Sequence, residues 1–362
     1  MKVLHVITGL AAGGAERQLR DLVAHHTLRA EVAVLTNPGL MAAAMREDGV
    51  AVHHLGMTGN RDLQVIRPLA RLIRSGGYDV VHTHLFRAGL YGRLAARLAG
   101  VGAIVATEHS IGERQIEGRR ATWPVRALAR GGERLGHMTV AVSTAAAGRL
   151  RGWGIPASRI TVIPNGVDGR AFAFDPRLRR KARAGLGIPQ DAFVVGGLGR
   201  LEPGKRFDML VEAMAQVPEA TLLLVGDGPA RASLAALAGR TGCGGRVVFA
   251  GESGEVPALL SAMDVFAAPS EEETFGLAVI EALASGLPVL YGACPALEEL
   301  PGDSAPAARR MPPEPKELGL AIAALLAGSP ERHAPPPAVA HYDIRHHVTR
   351  LEALYTRVQG EQ

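Results

Sequence analysis

Lysine is scarce in this 362-residue chain: it occurs only as Lys2, Lys181, Lys205 and Lys316, and the remaining basic charge is arginine. None of the four stands in a convincing setting for a Lys-bound pyridoxal phosphate. Two cysteines, Cys243 and Cys294, give no disulfide framework and suit a reducing cytoplasm. Aromatic residues make up 4%; with abundant Ala, Gly and Arg, this reflects a GC-rich genome more than a function. No apolar run approaches the roughly 20 residues that span a bilayer. The N-terminus superficially imitates a signal peptide, but His5 interrupts its short apolar run, so a first buried strand is the better reading. The expectation is a soluble cytoplasmic protein. Asp-x-Asp is absent, which argues against a nucleotide gripped through a metal.

Charge is present but uneven. Residues 1–170 hold 22 Lys and Arg against 12 Asp and Glu, whereas the remainder holds 18 against 23. A basic N-terminal half, including the stretch from Arg114 to Arg134, suits an anionic partner such as a phosphorylated acceptor or a membrane surface. The favoured reading is the blander one, solvated arginines on amphipathic helix faces. Nucleic acid is not expected as a partner and peripheral membrane contact is not favoured; the oligomeric state is not legible.

Short apolar runs alternate with helix-period segments throughout. Val3–Ile7, Val32–Leu35, Val50–His53, Val80–His82, Ile104–Thr107, Thr139–Val142 and Thr161–Ile163 read as strands with helices between them. Runs apolar at every position mean a parallel sheet covered on both faces. The pattern pauses from Asp168 to Gln190, through a basic run from Arg177 to Arg183. It restarts near residue 185 with strands at Phe193–Gly197, Thr221–Val225, Val247–Ala250, Val265–Ala268 and Val289–Tyr291. The fold class is α/β: two doubly wound Rossmann-like domains, at 1–170 and 171–340, facing across a cleft. A final helix at 341–362 is expected to pack back on the first domain. Ligands in such sheets sit beyond the carboxyl ends of the strands.

Several motifs fall short. Gly199 and Gly204–Lys205 have phosphate-loop spacing, but Arg206 stands where a nucleotide hydrolase needs Ser or Thr for magnesium. Gly9, Gly13 and Gly14 miss the dinucleotide spacing. His82 and His84 end one strand and His109 follows another, with no acidic or Cys ligand spaced to complete a metal site. No metal is expected.

The strongest segment runs from Ala267 to Val289, AAPSEEETFGLAVIEALASGLPV. Glu273 and Glu281 are eight apart. A helix beginning near Gly276 places Glu281 just over one turn in and leaves Glu273 on the preceding loop. The helix-start amides form an anion site. Glu271 and Glu272 also read as plain acidic capping, which leaves Gly276 after Phe275 at the helix mouth unexplained.

This segment resembles the Glu-x7-Glu signature of the retaining glycosyltransferases of family 4 (glycosyltransferase group 1), which have the GT-B fold. Ile163–Asp168, Gly199–Lys205 and Leu223–Pro229 resemble three further family segments, in order; Gly13–Glu16, Val81–His84 and Thr107–His109 match weaker ones. The chain departs from the family at Gly292–Glu299, where an acidic helix usually follows a Gly-rich turn.

The resemblance implies a hexose-type sugar moved from a nucleotide-diphosphate sugar, UDP favoured, to a hydroxyl acceptor of unknown identity, without metal or cofactor. It implies that Arg200 and Lys205, with the amides of Phe275, Gly276 and Leu277, hold the diphosphate. Glu281 then holds the ribose and Glu273 the donor sugar. Gly13 and Gly14 let a loop approach the phosphates, Asn165 belongs to the donor set, and His109 lies over the sugar. It also implies a front-face displacement in which the leaving phosphate helps to deprotonate the acceptor. The competing readings are a nucleotide-sugar 2-epimerase or phosphorylase on the same fold, and a non-catalytic sugar-nucleotide-binding protein.

Overall fold

Continuous apolar runs become central parallel strands here because helices cover both sides of each sheet. The computed structural model describes residues 1–113, 115–117, 119–328 and 331–361. The chain divides into two compact units: Met1–Gly166 with Ile344–Gln362, and Val167–Asp343.

The first unit carries β1 (Lys2–Ile7), β2 (Arg29–Val34), β3 (Val52–His54), β4 (Val80–His84), β5 (Ala103–Glu108), a small hairpin of β6 (Gln115–Ile116) and β7 (Arg119–Arg120), β8 (Met138–Ala141) and β9 (Ile160–Val162). Its seven-stranded parallel sheet has the order β3-β2-β1-β4-β5-β8-β9. The helices are α1 (Gly14–His25), α2 (Gly39–Glu47), α3 (Ile66–Gly76), α4 (Phe86–Ala99), α5 (Trp123–Glu133) and α6 (Thr144–Gly152). Alternate residues along β1 point to opposite faces. Val3 and Ile7 pack with α1 and α2, whereas Leu4 and Val6 pack with α3 and α4.

The second unit carries β10 (Phe193–Leu198), β11 (Ala220–Val225), β12 (Val247–Gly251), β13 (Val265–Ala268), β14 (Val289–Tyr291) and β15 (Ala308–Arg310), in the parallel order β12-β11-β10-β13-β14-β15. Its helices are α7 (Pro176–Gly185), α8 (Phe207–Met214), α9 (Arg231–Arg240), α10 (Val256–Ala262), α11 (Leu277–Ala284), α12 (Pro295–Glu298), α13 (Pro315–Ala327) and α14 (Pro337–His341). One sheet face packs on α8, α9 and α13. The last helix, α15 (Ile344–Gly360), returns to the first unit, where Ile344, Val348, Leu351, Leu354, Tyr355 and Val358 join the core made by α1 and α2.

Several elements differ from the sequence expectation. The pause from Asp168 to Gln190 contains α7. Asp175 caps it, Pro176 sits in its first turn, and Arg179 and Arg183 pair with Asp264 at 2.7 and 2.8 Å. The basic run is therefore an anchor and not a linker. The compact units divide after Gly166, so this segment belongs wholly to the second. α2 hides in a short Ala- and Met-rich stretch that buries Met41, Ala42 and Met45. β15 is an edge strand bearing exposed Arg309 and Arg310, where one-sided pairing demands no apolar run. The β6–β7 hairpin is two residues a side.

Candidate active site

In the second sheet the strand order reverses between β10 and β13, the place where doubly wound sheets open a ligand crevice. The segments leaving those two strands carry the expected donor residues. Lys205 donates from Nζ to Glu273 Oε1 at 2.7 Å, and Arg206 pairs with Glu271 beside it. Arg206 itself takes a left-handed conformation (φ +54°) between a 3-10 turn at Pro203–Lys205 and α8. Two ion pairs thus tie the loop after β10 to the loop after β13.

Glu271 is consequently not the helix cap that its place in the sequence suggested. Among the described residues no acidic side chain occupies the first turn of α11, whose cap is Gly276 (φ +100°). That conformation favours glycine, and a Cβ there would also lie 2.5 Å from Cys294 Sγ. The first amides of α11 lie beyond the reach of its own hydrogen-bond ladder. Glu281 sits on the helix just over one turn from Gly276 and is 3% exposed. Arg200 is solvent-facing, its Nε 3.8 Å from the Glu202 carboxylate.

The unusual segment Gly292–Glu299 buttresses this corner. The Phe275 carbonyl accepts from Ala296 N at 2.9 Å and from the Cys294 thiol at 3.6 Å. Burial pushes that thiol's pKa up, so it remains a donor. The Phe275 ring meets Tyr342 edge-on at 5.0 Å, and Tyr342 in turn donates to the Ala296 carbonyl at 2.7 Å. Sequence reasoning left this segment without a role; the signal was its departure from the family pattern, with Cys294 and Pro295 in place of a Gly-rich turn.

The other expected residues lie in the first unit. Gly13 caps α1, and Gly14 is its first residue. Glu16 folds back over Gly13, and a side chain at 13 would meet only the flexible end of that carboxylate. Asn165 is buried, next to Pro164, whose carbonyl accepts from His347 Nδ1 at 2.6 Å. His109 follows β5 directly. Of the arginine stretch, Arg114 and the Arg119 side chain lie outside the described residues. Arg126 donates to the Glu113 carbonyl and Arg130 to the Trp153 carbonyl, so both serve the unit's own structure.

His5, His82 and His84 lie close enough for their ligand atoms to fall within 4.8 Å of one another. Their nitrogens are engaged, however. His5 Nδ1 and His84 Nε2 share a 2.9 Å hydrogen bond, while His82 bonds the Tyr355 hydroxyl at 2.6 Å and the Thr107 hydroxyl at 2.7 Å. A cation would have to break these bonds. Sequence reasoning picked His82, His84 and His109 from this cluster but missed His5, His26 and His347; the available signal was a histidine inside an otherwise apolar strand.

The fold and the β10/β13 site define a GT-B protein. Family models match both halves, "Glycosyltransferase Family 4" over residues 12–170 and "Glycosyl transferases group 1" over residues 179–338, and the chain belongs to this glycosyltransferase family. It is 33% identical over 235 residues to proteins of Mycobacterium tuberculosis and Mycobacterium bovis named D-inositol 3-phosphate glycosyltransferase, a stretch that is 60% of this chain. The chain spans about half (48%) of the length of these curated relatives. Its fold matches that of Anabaena HepE in complex with UDP-glucose, with TM-score 0.84, 25% identity and 100% of both chains covered. It also matches WaaG, a glycosyltransferase involved in lipopolysaccharide biosynthesis, with TM-score 0.73, 18% identity, and 98% of this chain and 99% of that one covered. Among the described residues, no helix is long and apolar enough to cross a membrane.

Proposed function

We propose that this chain is a retaining glycosyltransferase that moves a hexose-type sugar from a nucleotide-diphosphate sugar, UDP-linked by preference, to a hydroxyl acceptor. The observation that carries the reading is the Lys205–Glu273 pair beside the amides that open α11. An ammonium and a helix N-terminus together suit a diphosphate. Lys205, Arg200 and the amides of Phe275, Gly276 and Leu277 neutralise the charge that develops on the leaving phosphate, the role a divalent ion fills elsewhere. Glu281, fixed on the helix, accepts from the ribose hydroxyls. Glu273 exchanges Lys205 for the donor-sugar hydroxyls once the phosphates claim the lysine. For Gly13, Gly14, Asn165 and His109 a donor-binding role is proposed on the family pattern alone, as are front-face displacement, an acceptor domain at 1–170, a donor domain at 171–340 and a cytoplasmic location.

The relatives' name makes an inositol phosphate the first acceptor to try, and the basic charge of residues 1–170 favours a phosphorylated molecule. The test is UDP release from UDP-glucose with and without acceptor, in chelator, with the product's anomeric configuration read by proton NMR. Release that needs acceptor, survives chelator and gives the α-anomer supports the proposal. Donor conversion without acceptor points to an epimerase, and binding without release to a non-catalytic protein.

A further inference from the structure

A line of hydrogen-bonded imidazoles runs through the first unit from its C-terminal helix to His109. Glu352 on α15 accepts from His26 Nδ1 at 2.9 Å, and His26 Nε2 meets His5 Nε2 at 3.2 Å. His5 Nδ1 meets His84 Nε2 at 2.9 Å, and His84 Nδ1 meets His109 Nε2 at 3.0 Å. The remaining nitrogen, His109 Nδ1, is buried and has no hydrogen-bond partner among the described residues.

A neutral imidazole has one N–H and one bare nitrogen, so each bond in such a line fixes the next. Burial drives every ring toward the neutral form: His109 falls to about 3, and His5, His84 and His26 are all lowered. Glu352 also accepts from the Thr27 amide at 2.8 Å and the Thr27 hydroxyl at 2.7 Å. Although burial pushes its pKa up, these bonds and the one from His26 bring it below the usual carboxylate range. It is therefore an acceptor only. His26 must then carry its proton on Nδ1 and present Nε2 bare. His5 donates from Nε2, His84 donates from Nε2 to His5 Nδ1, and His109 donates from Nε2 to His84 Nδ1. His109 Nδ1 is left as a lone pair.

We propose that Glu352 is a positioning residue which, through His26, His5 and His84, holds His109 in the Nε2–H tautomer and so keeps its Nδ1 as an acceptor for a hydroxyl-bearing ligand. The side branches do not set this polarity: His82 bonds Tyr355 and Thr107, and His347 bonds the Pro164 carbonyl. The tautomer assignment needs no statement about the reaction. Only its consequence for sugar hydroxyls rests on the transferase proposal.

The experiment is two-bond nitrogen–proton correlation NMR on the full chain labelled with 15N-histidine, at pH 7.5, in the wild type and in Glu352→Lys and Glu352→Gln. Wild-type His109 should show a protonated Nε2 and a bare Nδ1. Lysine can only donate, which reverses every bond in the line, so Glu352→Lys should invert His109 to the Nδ1–H form. The Gln amide can donate or accept, so Glu352→Gln should give a mixture, and this variant decides the matter if the Lys variant does not fold. An Nδ1–H His109 in the wild type, or an unchanged Nε2–H form in the folded variants, would overturn the proposal. Turnover of UDP-glucose by the same variants tests the transferase reading separately, because the spectra do not depend on it.

Discussion

Substituting the two glutamates of the β13–α11 segment should move nucleotide affinity in opposite directions. Glu281 is 3% exposed and fixed on α11. Glu281→Gln keeps its shape but turns a charged acceptor into a neutral one. A hydrogen bond to a charged group contributes about 1.5–3 kcal/mol, so UDP should bind roughly 10–150-fold more weakly. Glu273 is held by Lys205 at 2.7 Å, with side-chain exposures of 17% and 27%. That setting lies near the upper end of the ~0.2–1 kcal/mol measured for exposed ion pairs. A diphosphate that recruits Lys205 must first displace Glu273. In Glu273→Gln this competition is relieved, and UDP should bind up to roughly 5-fold more tightly. Its kcat with UDP-glucose should nevertheless fall, because a contact that strengthens toward the transition state has been weakened. Calorimetry with UDP, together with steady-state kinetics on both variants, reads all of these quantities. If Glu273→Gln weakens UDP binding as much as Glu281→Gln does, Glu273 touches the nucleotide and the division of roles fails.

Other outcomes follow from the packing. Arg183, fully buried, donates to the carbonyls of Ala262, Pro189, Gln190 and Ala192 and to Asp264; Arg183→Met should cost about 3–5 kcal/mol, read as a lowered Cm in urea. Gly276→Ala forces a side chain into φ +100° and onto Cys294 Sγ, so it should lower Tm, and Cys294→Ala should recover only the part due to overlap. His109 and His347 have pKa values lowered to about 3 and about 4 from 6.5, mainly by burial. The unfolded chain therefore binds more protons below 6.5, and stability should fall with decreasing pH from about 6.5 to 3, each ring contributing up to ~1.4 kcal/mol per pH unit. Glu108, raised to about 7 by burial against the pull of Arg93, acts in the opposite sense: it removes stability as pH rises from 4.5 through 7. Thermal melts across pH should accordingly peak near neutrality, and a flat profile would contradict both assignments.

Legibility in the sequence tracked how local the cause was. β13 and β14 match their expected bounds to the residue, and α11 begins beside the expected Gly276, because each is a short apolar block between turn residues. β15 and α7 were not legible, since an exposed edge strand and an arginine-rich helix draw their order from partners far along the chain: β14 in one case, Asp264 in the other. The site followed the same rule. Lys205, Gly276 and the two glutamates could be singled out by spacing. That Glu273 and Lys205 face each other, that Arg206 takes up Glu271, and that His5 belongs with His84 depend on strand order, which no local pattern encodes.

The membership of α15 has a consequence for how the protein is made. Residues that complete the first unit's core, from Ile344 to Val358, are synthesised after the whole of the second unit. During synthesis, β1 through β9 must wait with α1 and α2 uncovered on one face, while Val167–Asp343 can close its own sheet as soon as it emerges. Domains generally fold as units during translation, but here the earlier of the two units is finished only after the later one. A released chain truncated just before α15 should resist protease over the second unit and be cut within the first.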